Sequence, residues 1–376
     1  MRVQKTLISQ VKQYFLGTIR GKNQGVLPLL IRFALLLLSY VYSFVVICRN
    51  KMFDWKVFSI YKAKIPVISI GNIVAGGTGK TPLIALLASS LEKYGKVAIL
   101  SRGYKAEAEN KKKPLVLSRG NGPLLDASVC GDEARMLSET YPSLLYIVGS
   151  NRSLAAQIAQ EEGAKCLIID DGMQHRYLSR DYNIVLMDSR DPFAGNYCLP
   201  RGLLREPLSG LQRADILILT RVQSDLEAQK HHEKLKQYNP KAAIIHTGIY
   251  TERVYDLDNQ VIDSLNKVPV AFFCGIAKPD SFRQTIEELN ADIILENLLE
   301  DHDSFHEAYL ETFCLKAKSI GAQYVLCTEK DKVKINKTKR YALPILWVKI
   351  CVCVRHGKDI WEKMLEDIKA QMKLST

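Results

Sequence analysis

The chain has 376 residues, 24% of them charged, and a formal net charge of +12 at pH 7. This length allows one to three domains with buried cores, and the basic balance favours anionic partners such as phospholipid or a phosphorylated substrate. We expect no nucleic-acid partner, because the sequence has no compact basic stripe with interleaved aromatic residues. The nine cysteines form no C-x-x-C pair, which predicts a reducing, cytosolic setting for the folded part.

The first feature along the chain is an apolar stretch, Phe33–Cys48, which extends back through residues 29–31 and is interrupted by Arg32. A membrane-spanning helix needs about 20 apolar residues, so this stretch is long enough only if Arg32 reaches the lipid head groups. No small-residue cleavage site follows it, which argues against a signal peptide. We predict that residues 1–50 form a membrane-anchoring region. Spanning and monotopic insertion are both open, and a buried core helix is the alternative.

The most informative motif is a glycine-rich turn that follows the apolar run 67–70 and precedes a predicted helix. The turn consists of Gly76, Gly77, Thr78, Gly79, Lys80 and Thr81. Glycines let backbone N–H groups close around phosphates, and the helix N-terminus adds partial positive charge. Lys80 would reach the β- and γ-phosphates and the Thr81 hydroxyl would bind Mg²⁺, although the first glycine of the usual motif is replaced by Val74. The turn predicts a site for ATP and Mg²⁺, with a purely structural turn as the alternative.

Short apolar runs alternate with amphipathic segments along the rest of the chain, which is the pattern of βαβ units. Strands are predicted at 67–70, 97–100, 115–117, 145–148, 166–169, 184–187, 216–219, 243–245, 270–273, 293–295, 324–327 and 345–350. Helices are predicted at 82–93, 134–140, 153–161, 224–237, 281–289, 305–319 and 358–372. We expect an α/β fold of two α/β/α lobes with mostly parallel sheets, preceded by the membrane helix. The first lobe, residues 51–200, would be a P-loop NTPase-like kinase core, and residues 201–376 would form the second.

Two adjacent carboxylates, Asp170 and Asp171, end a predicted strand just before Gly172. Ligands of open parallel sheets gather at the carboxyl ends of the strands, where the phosphate loop also lies. An acidic residue there can hold Mg²⁺, whereas the alternative is an ordinary Asp-Gly turn. Gln174 and His175 follow directly and would lie within reach of a phosphate or a sugar.

Other polar clusters follow predicted strands or lie in loops too polar for a core. Asp132 either caps the helix that follows it or takes a proton from an acceptor hydroxyl. Arg102 follows a strand in the same way. In the loop 200–207, Arg205 is suited to stabilise a transferring phosphoryl group and Glu206 to contribute to the metal site.

One further histidine, His302, stands between two aspartates in the second half of the chain. This cluster is either a surface turn or, if the lobes close on each other, a group that orients the base.

In their order along the chain, these motifs resemble the tetraacyldisaccharide 4′-kinase family of lipid A biosynthesis. The segments that carry the resemblance are 71–72, 76–82, 101–104, 131–133, 170–175, 199–207 and 301–302, behind the apolar N-terminal stretch. Arg201 departs from the family pattern, which usually has a small residue there, and Leu203 replaces the usual proline.

The resemblance implies ATP-dependent phosphorylation of the 4′-hydroxyl of a tetraacyldisaccharide 1-phosphate, a lipid A precursor, at the cytoplasmic face of the bacterial inner membrane. It implies that Asp132 and His302 form a dyad that activates this hydroxyl, with Lys80 and Arg205 also catalytic. The implied metal-site residues are Thr81, Asp170, Asp171 and Glu206. The implied substrate-binding residues are Arg102, Glu133, Arg152, Gln174 and His175. The glycolipid and an anionic membrane surface are the expected partners, and the sequence leaves self-association undecided.

Two other classes remain open on the residues alone. A membrane-associated P-loop ATPase or GTPase switch would share the variant phosphate loop, and Thr328–Asp331 faintly resembles a guanine-reading element. A membrane-tethered nucleotide-binding adaptor would need no catalytic side chains.

Overall fold

The computed structural model describes residues 14, 17–19, 23–104, 106–276, 279–299, 307–336 and 338–374. The strands are β1 Val67–Asn72, β2 Val97–Ser101, β3 Leu115–Arg119, β4 Leu145–Val148, β5 Cys166–Asp170, β6 Tyr182–Asp188, β7 Ile216–Thr220, β8 Ala243–Asp256, β9 Val261–Ile262, β10 Pro269–Cys274, β11 Asp292–Leu298, β12 Tyr324–Thr328 and β13 Ile345–His356. The α-helices are α1 Val26–Asp54, α2 Lys80–Leu91, α3 Ala127–Cys130, α4 Asp132–Thr140, α5 Arg152–Glu161, α6 Asp225–Tyr238, α7 Pro279–Glu288, α8 Glu307–Ser319, α9 Glu329–Lys332 and α10 Lys358–Leu374.

All these strands belong to one mixed sheet in the described part of the chain, in the order β11-β10-β12-β13-β8-β7-β6-β1-β5-β2-β4-β3, with β9 on β8. Antiparallel pairs join β3 to β4, β13 to β8 and β9 to β8, and the other neighbours are parallel. The predicted α/β class with a mostly parallel arrangement is therefore confirmed. The sheet runs on through the predicted lobe boundary at residue 200, because β7 pairs in parallel with β6. That boundary stays a prediction.

Strand β1 lies between β5 and β6. Ile68 and Ile70 are fully buried and pack in one core cluster with Leu83 and Leu87 of α2. This packing fixes the direction in which the loop between β1 and α2 leaves the sheet. The carboxyl ends of β1, β2, β5, β6 and β7 share one edge, and the functional site forms there.

Helix α1 has 29 residues, and its most apolar window has a mean hydropathy of 2.2 with only 11% of it buried. It is long and apolar enough to cross a membrane, by length and composition only. Its buried residues Ser39, Val46 and Phe53 recur at seven-residue intervals, which places them on one side of the helix. The opposite side exposes large apolar residues, so the alternative of a buried core helix is wrong. These exposed residues include Leu30, Phe33, Leu37, Val41, Phe44 and Val45.

Candidate functional site

The loop between β1 and α2 has the conformation of a phosphate-binding turn. Gly76 and Gly79 have φ values of 119° and 85°, a region that favours glycine, and α2 begins directly after Gly79. Asn72 Nδ2 at the end of β1 donates a 2.9 Å hydrogen bond to Thr78 Oγ1. This hydrogen bond fixes the turn to the end of β1 and leaves the N-terminus of α2 open to a ligand.

Thr220, the last residue of β7, and Arg221, which follows it, hold the same turn from its other side. Thr220 Oγ1 donates to the Thr78 carbonyl oxygen at 2.8 Å, and Arg221 Nη1 donates to the Gly77 carbonyl oxygen at 3.1 Å. Arg221 also pairs with Asp188 at 2.8 Å. Sequence reasoning missed these residues, although they end a buried strand, which is the signal that identified Asp170 and Asp171.

Asp171 joins two of the predicted catalytic cations. Its Oδ1 lies 3.2 Å from Lys80 Nζ and its Oδ2 lies 2.7 Å from Arg205 Nη1. Burial acts to raise the pKa of Asp171, but Lys80 and Arg205 outweigh it and hold the pKa below its ordinary value. Asp171 therefore stays ionised and keeps both cations in place beside the phosphate loop.

Asp170 has a different environment although it is the next residue. Burial raises its pKa to about 6, against the opposing effect of Lys80 and with a further raising contribution from Glu133. Arg152 Nη2 donates to the Asp170 carbonyl oxygen at 3.4 Å, and Arg152 is 3% exposed. Burial also lowers the pKa of this arginine to about 10. A cation at this site would stabilise the ionised Asp170.

These groups surround a cavity of about 1330 Å³ between the two halves of the sheet. The predicted site residues that line it are Gly76, Gly77, Thr78, Gly79, Lys80, Thr81, Arg102, Asp132, Glu133, Arg152, Asp170, Asp171, Gln174, His175 and Arg205. The opposite wall includes Phe282, Thr285 and Lys330, and helix α1 contributes Tyr42 and Arg49. The structure thus brings nearly all of the predicted residues to one space.

Asp132 is the first residue of α4, and Gly131 is the N-cap without a side-chain capping bond. The alternative that Asp132 caps this helix is therefore wrong. Instead, its Oδ2 lies 2.9 Å from Lys334 Nζ, and Glu133 lies 3.6 Å from Lys330 Nζ. Both lysines come from the segment after β12, so these contacts join the two halves of the site.

His175 and Arg102 also line the cavity. Burial lowers the pKa of His175 to about 4, helped by Arg152 and Arg180, so the imidazole is neutral near pH 7. Its Nδ1 is buried without a hydrogen bond. Arg102 has a largely exposed side chain that pairs with Glu109 at 2.8 Å.

Glu206 is not one of the described residues that line the cavity. It is fully buried and pairs with Arg213, while Gln174 Nε2 donates to its Oε1 at 2.8 Å and Asn50 Nδ2 to its Oε2 at 3.2 Å. A carboxylate with both oxygens occupied in this way is an internal structural group. The expectation that Glu206 binds Mg²⁺ does not fit this environment.

His302, with its flanking aspartates, lies outside the described residues. Its pairing with Asp132 stays a prediction.

The residues at the cavity fit a magnesium ion that is shared with a nucleotide. In the described part of the chain, no three acidic, histidine or cysteine side chains are grouped to hold a metal by themselves. Mg²⁺ usually binds through one or two carboxylates together with substrate phosphates. Asp171 Oδ1 is buried with an ion-pair contact but no hydrogen bond, and Asp170 and Thr81 line the same cavity.

Comparison with known proteins identifies this arrangement. The family model described as tetraacyldisaccharide-1-P 4′-kinase, LpxK, matches residues 31–369. The chain belongs to this kinase family. The predicted family and kinase activity are thus confirmed.

Relatives within the LpxK family cover most of the chain. The tetraacyldisaccharide 4′-kinase of Halothermothrix orenii is 33% identical over 343 residues, which are 87% of this chain and 89% of the relative. That of Syntrophotalea carbinolica is 37% identical over 314 residues, 81% of this chain and 83% of the relative. A crystal structure of LpxK from Aquifex aeolicus in complex with ATP superposes with a TM-score of 0.72 and 27% identity, over 90% of this chain and 99% of that one. The α/β fold is thereby confirmed, and ATP is the nucleotide bound in that relative's structure.

Proposed function

We propose that this LpxK-family kinase transfers the γ-phosphoryl group of ATP to the 4′-hydroxyl of a tetraacyldisaccharide 1-phosphate that stays in the membrane. The observation that carries this proposal is the triad Lys80–Asp171–Arg205, which lies next to a phosphate-binding turn in a cavity that helix α1 also lines. Phosphoryl transfer depends mainly on positioning and on neutralising charge, and this triad supplies both.

The phosphate loop and its cations bind the nucleotide. The backbone N–H groups before α2 cradle the phosphates, and Lys80 contacts the β- and γ-phosphates. Arg205 is placed to stabilise the charge on the transferring group, because Asp171 holds its guanidinium beside Lys80. Thr81, Asp170 and Asp171 would hold a Mg²⁺ ion, which supplies neutralisation of the phosphate oxygens when bound.

The acceptor hydroxyl is activated from the other side of the cavity. Asp132 takes the proton as the general base, and His302 orients it. Arg102, Glu133, Arg152, Gln174 and His175 contact the sugar and phosphate portions of the glycolipid. At physiological pH, neutral His175 can donate a hydrogen bond to a sugar hydroxyl or accept one from it.

The site works at a membrane surface. A substrate with four acyl chains does not leave the bilayer, so an enzyme with an exposed apolar helix meets it there. We place α1 in the bacterial inner membrane with the catalytic part in the cytoplasm, and the net charge of +12 attracts anionic head groups.

The decisive experiment incubates the purified full chain with ATP, Mg²⁺ and a tetraacyldisaccharide 1-phosphate in mixed micelles. Mass spectrometry should show one added phosphate on the sugar that lacks it, and omission of the lipid should leave ATP intact. Free ATP or GTP hydrolysis without lipid would instead indicate a membrane-associated P-loop switch.

Changing Asp132 to Ala tests the base in the same assay. Its loss should lower kcat by about 10²–10⁴-fold with little change in ATP affinity, since general-base catalysis contributes that much. Loss of ATP affinity with normal kcat would contradict the assignment.

A further inference from the structure

One of the segments that helix α1 contacts is the loop of residues 198–207, here called the Arg205 loop. The Ser39 hydroxyl donates a 2.8 Å hydrogen bond to the carbonyl oxygen of Cys198, and the Tyr42 hydroxyl donates one of 2.7 Å to that of Arg205. About two turns further on, Asn50 Nδ2 donates to Glu206 Oε2. The inner side of the apolar helix is therefore bonded to both ends of this loop.

The Arg205 loop is also bonded to the phosphate loop on its other side. The Arg205 backbone N–H donates to the Ile73 carbonyl oxygen at 2.7 Å. Gln174 Nε2 links Glu206 to the carbonyl oxygen of Asn72, at 2.8 and 2.9 Å. The backbone of Arg205 and Glu206 thus lies between helix α1 and the end of β1.

Because Glu206 is buried, its contacts help to determine the position of the Arg205 loop. Glu206 is 0% exposed, and its Oε2 accepts from both Asn50 and Arg213, so losing Asn50 leaves a buried charge with fewer hydrogen bonds. Asp171 holds the guanidinium of Arg205, and Ile73 and Tyr42 hold the backbone of the same residue. Misplacement of a charge-stabilising group by about 1 Å is enough to reduce phosphoryl transfer.

We propose that helix α1 is a positioning element of the active site as well as an anchor. Tyr42 and Asn50 act through Arg205 by fixing the backbone from which its guanidinium reaches the phosphoryl group. This inference rests on the proposed role of Arg205.

The test compares two tyrosines on the same helix. Tyr42→Phe removes only the hydroxyl that bonds to the Arg205 loop, whereas Tyr40→Phe removes a hydroxyl from a side chain that is 64% exposed. In the full chain we expect Tyr42→Phe to lower kcat about threefold to tenfold, the effect of one hydrogen bond, with the KM for ATP within about twofold. Binding to phosphatidylethanolamine–phosphatidylglycerol vesicles should be unchanged, and Tyr40→Phe should match the wild type.

A second variant guards against an effect on folding alone. Asn50→Ala removes the amide donor to Glu206 Oε2, which keeps Arg213 as a partner, and should lower kcat by about as much as Tyr42→Phe does. Equal kcat losses in Tyr42→Phe and Tyr40→Phe, or a wild-type kcat in both Tyr42→Phe and Asn50→Ala, would overturn the inference.

A double-mutant cycle with Arg205→Lys separates positioning from the proposed function. If Tyr42 acts through Arg205, Tyr42→Phe should lower kcat by less than about twofold in the Arg205→Lys background. An undiminished loss there overturns the positioning role alone. A wild-type kcat for Arg205→Lys itself would overturn the proposed role of Arg205 and this inference with it.

Discussion

The pKa values of the two adjacent aspartates in this site are shifted in opposite directions. Asp171 is held ionised by Lys80 and Arg205, whereas burial raises the pKa of its neighbour Asp170 to about 6. The Asp-Asp-Gly motif predicted carboxylates at the end of a strand, but not which of them pairs with Lys80 and Arg205. That distinction depends on contacts between residues far apart in sequence, such as Arg205 with Asp171.

Loss of the phosphate-loop lysine should reduce turnover strongly. Lys80→Ala removes a preorganised charge beside the phosphates, and we expect a loss of about 10²–10³-fold in kcat. Steady-state kinetics with the lipid acceptor measure it, and Lys93→Ala, a lysine just beyond the end of α2, is the matched control. Equal activity of both variants would contradict the assignment of Lys80.

His175 should make the protein sensitive to acid. Because burial depresses its pKa from 6.5 to about 4, the unfolded chain binds more protons than the folded one between these pH values. Stability is therefore fully present above pH 6.5 and falls as the pH drops towards 4. Between pH 7.5 and pH 5, the free energy of unfolding should fall about 1–2 kcal/mol more in the wild type than in His175→Gln.

Urea unfolding in detergent at the two pH values measures this difference. Parallel declines in the wild type and the variant would show that His175 does not cause it.

At the scale of elements, the predicted strands and helices agree with the structure to within a few residues, except that β8 and β13 are longer than predicted. The sequence predicted residues 243–245 and 345–350, whereas β8 continues to Asp256 and β13 to His356, and β8 pairs with β13 from His246 to Asp256. The second half of β8 alternates partly buried and exposed residues and carries polar ones such as Thr251 and Glu252. The second half of β8 lacks the continuous apolar run by which the other strands were predicted. Its strand conformation depends on pairing with β13.

The contact between α4 and the segment after α9 should contribute to stability. Lys334 and Asp132 are 2.9 Å apart with side chains only 12% and 19% exposed, so their coupling energy should be about 1 kcal/mol. A double-mutant cycle of Lys334→Met and Asp132→Asn, followed by urea unfolding, measures it. Lys330 and Glu133, at 3.6 Å with Glu133 48% exposed, should couple by less than about 0.5 kcal/mol. A larger coupling for this second pair would contradict the expectation.

At the scale of the whole molecule, the sequence predicted α/β lobes with site residues at the carboxyl ends of their strands, and the structure places most of these residues around one cavity. What the motifs could not predict is the role of Glu206. A glutamate beside a catalytic arginine suggested a metal ligand, but it is buried against Asn50, Gln174 and Arg213. The partner Asn50 belongs to a helix that sequence reasoning treated only as an anchor.

The exposed side of that helix should control membrane binding. Phe44 is 67% exposed, and an aspartate there would oppose insertion by about 3 kcal/mol near the centre of a bilayer. We expect Phe44→Asp to weaken vesicle binding at least about tenfold in a flotation assay. Leu315→Asp, at an equally apolar position 60% exposed on α8, should bind like the wild type. The reverse order would place the lipid contact elsewhere.

The hydrogen bonds from Tyr42 and Asn50 bear on how a soluble form of this enzyme could be made. Deleting residues 1–54 would remove the exposed apolar surface that requires detergent. It would also remove the hydrogen-bond donors that hold Arg205 and Glu206. A redesign that keeps the inward-facing hydroxyls and amide, and replaces only the outward aliphatic and aromatic side chains with charged ones, preserves those donors.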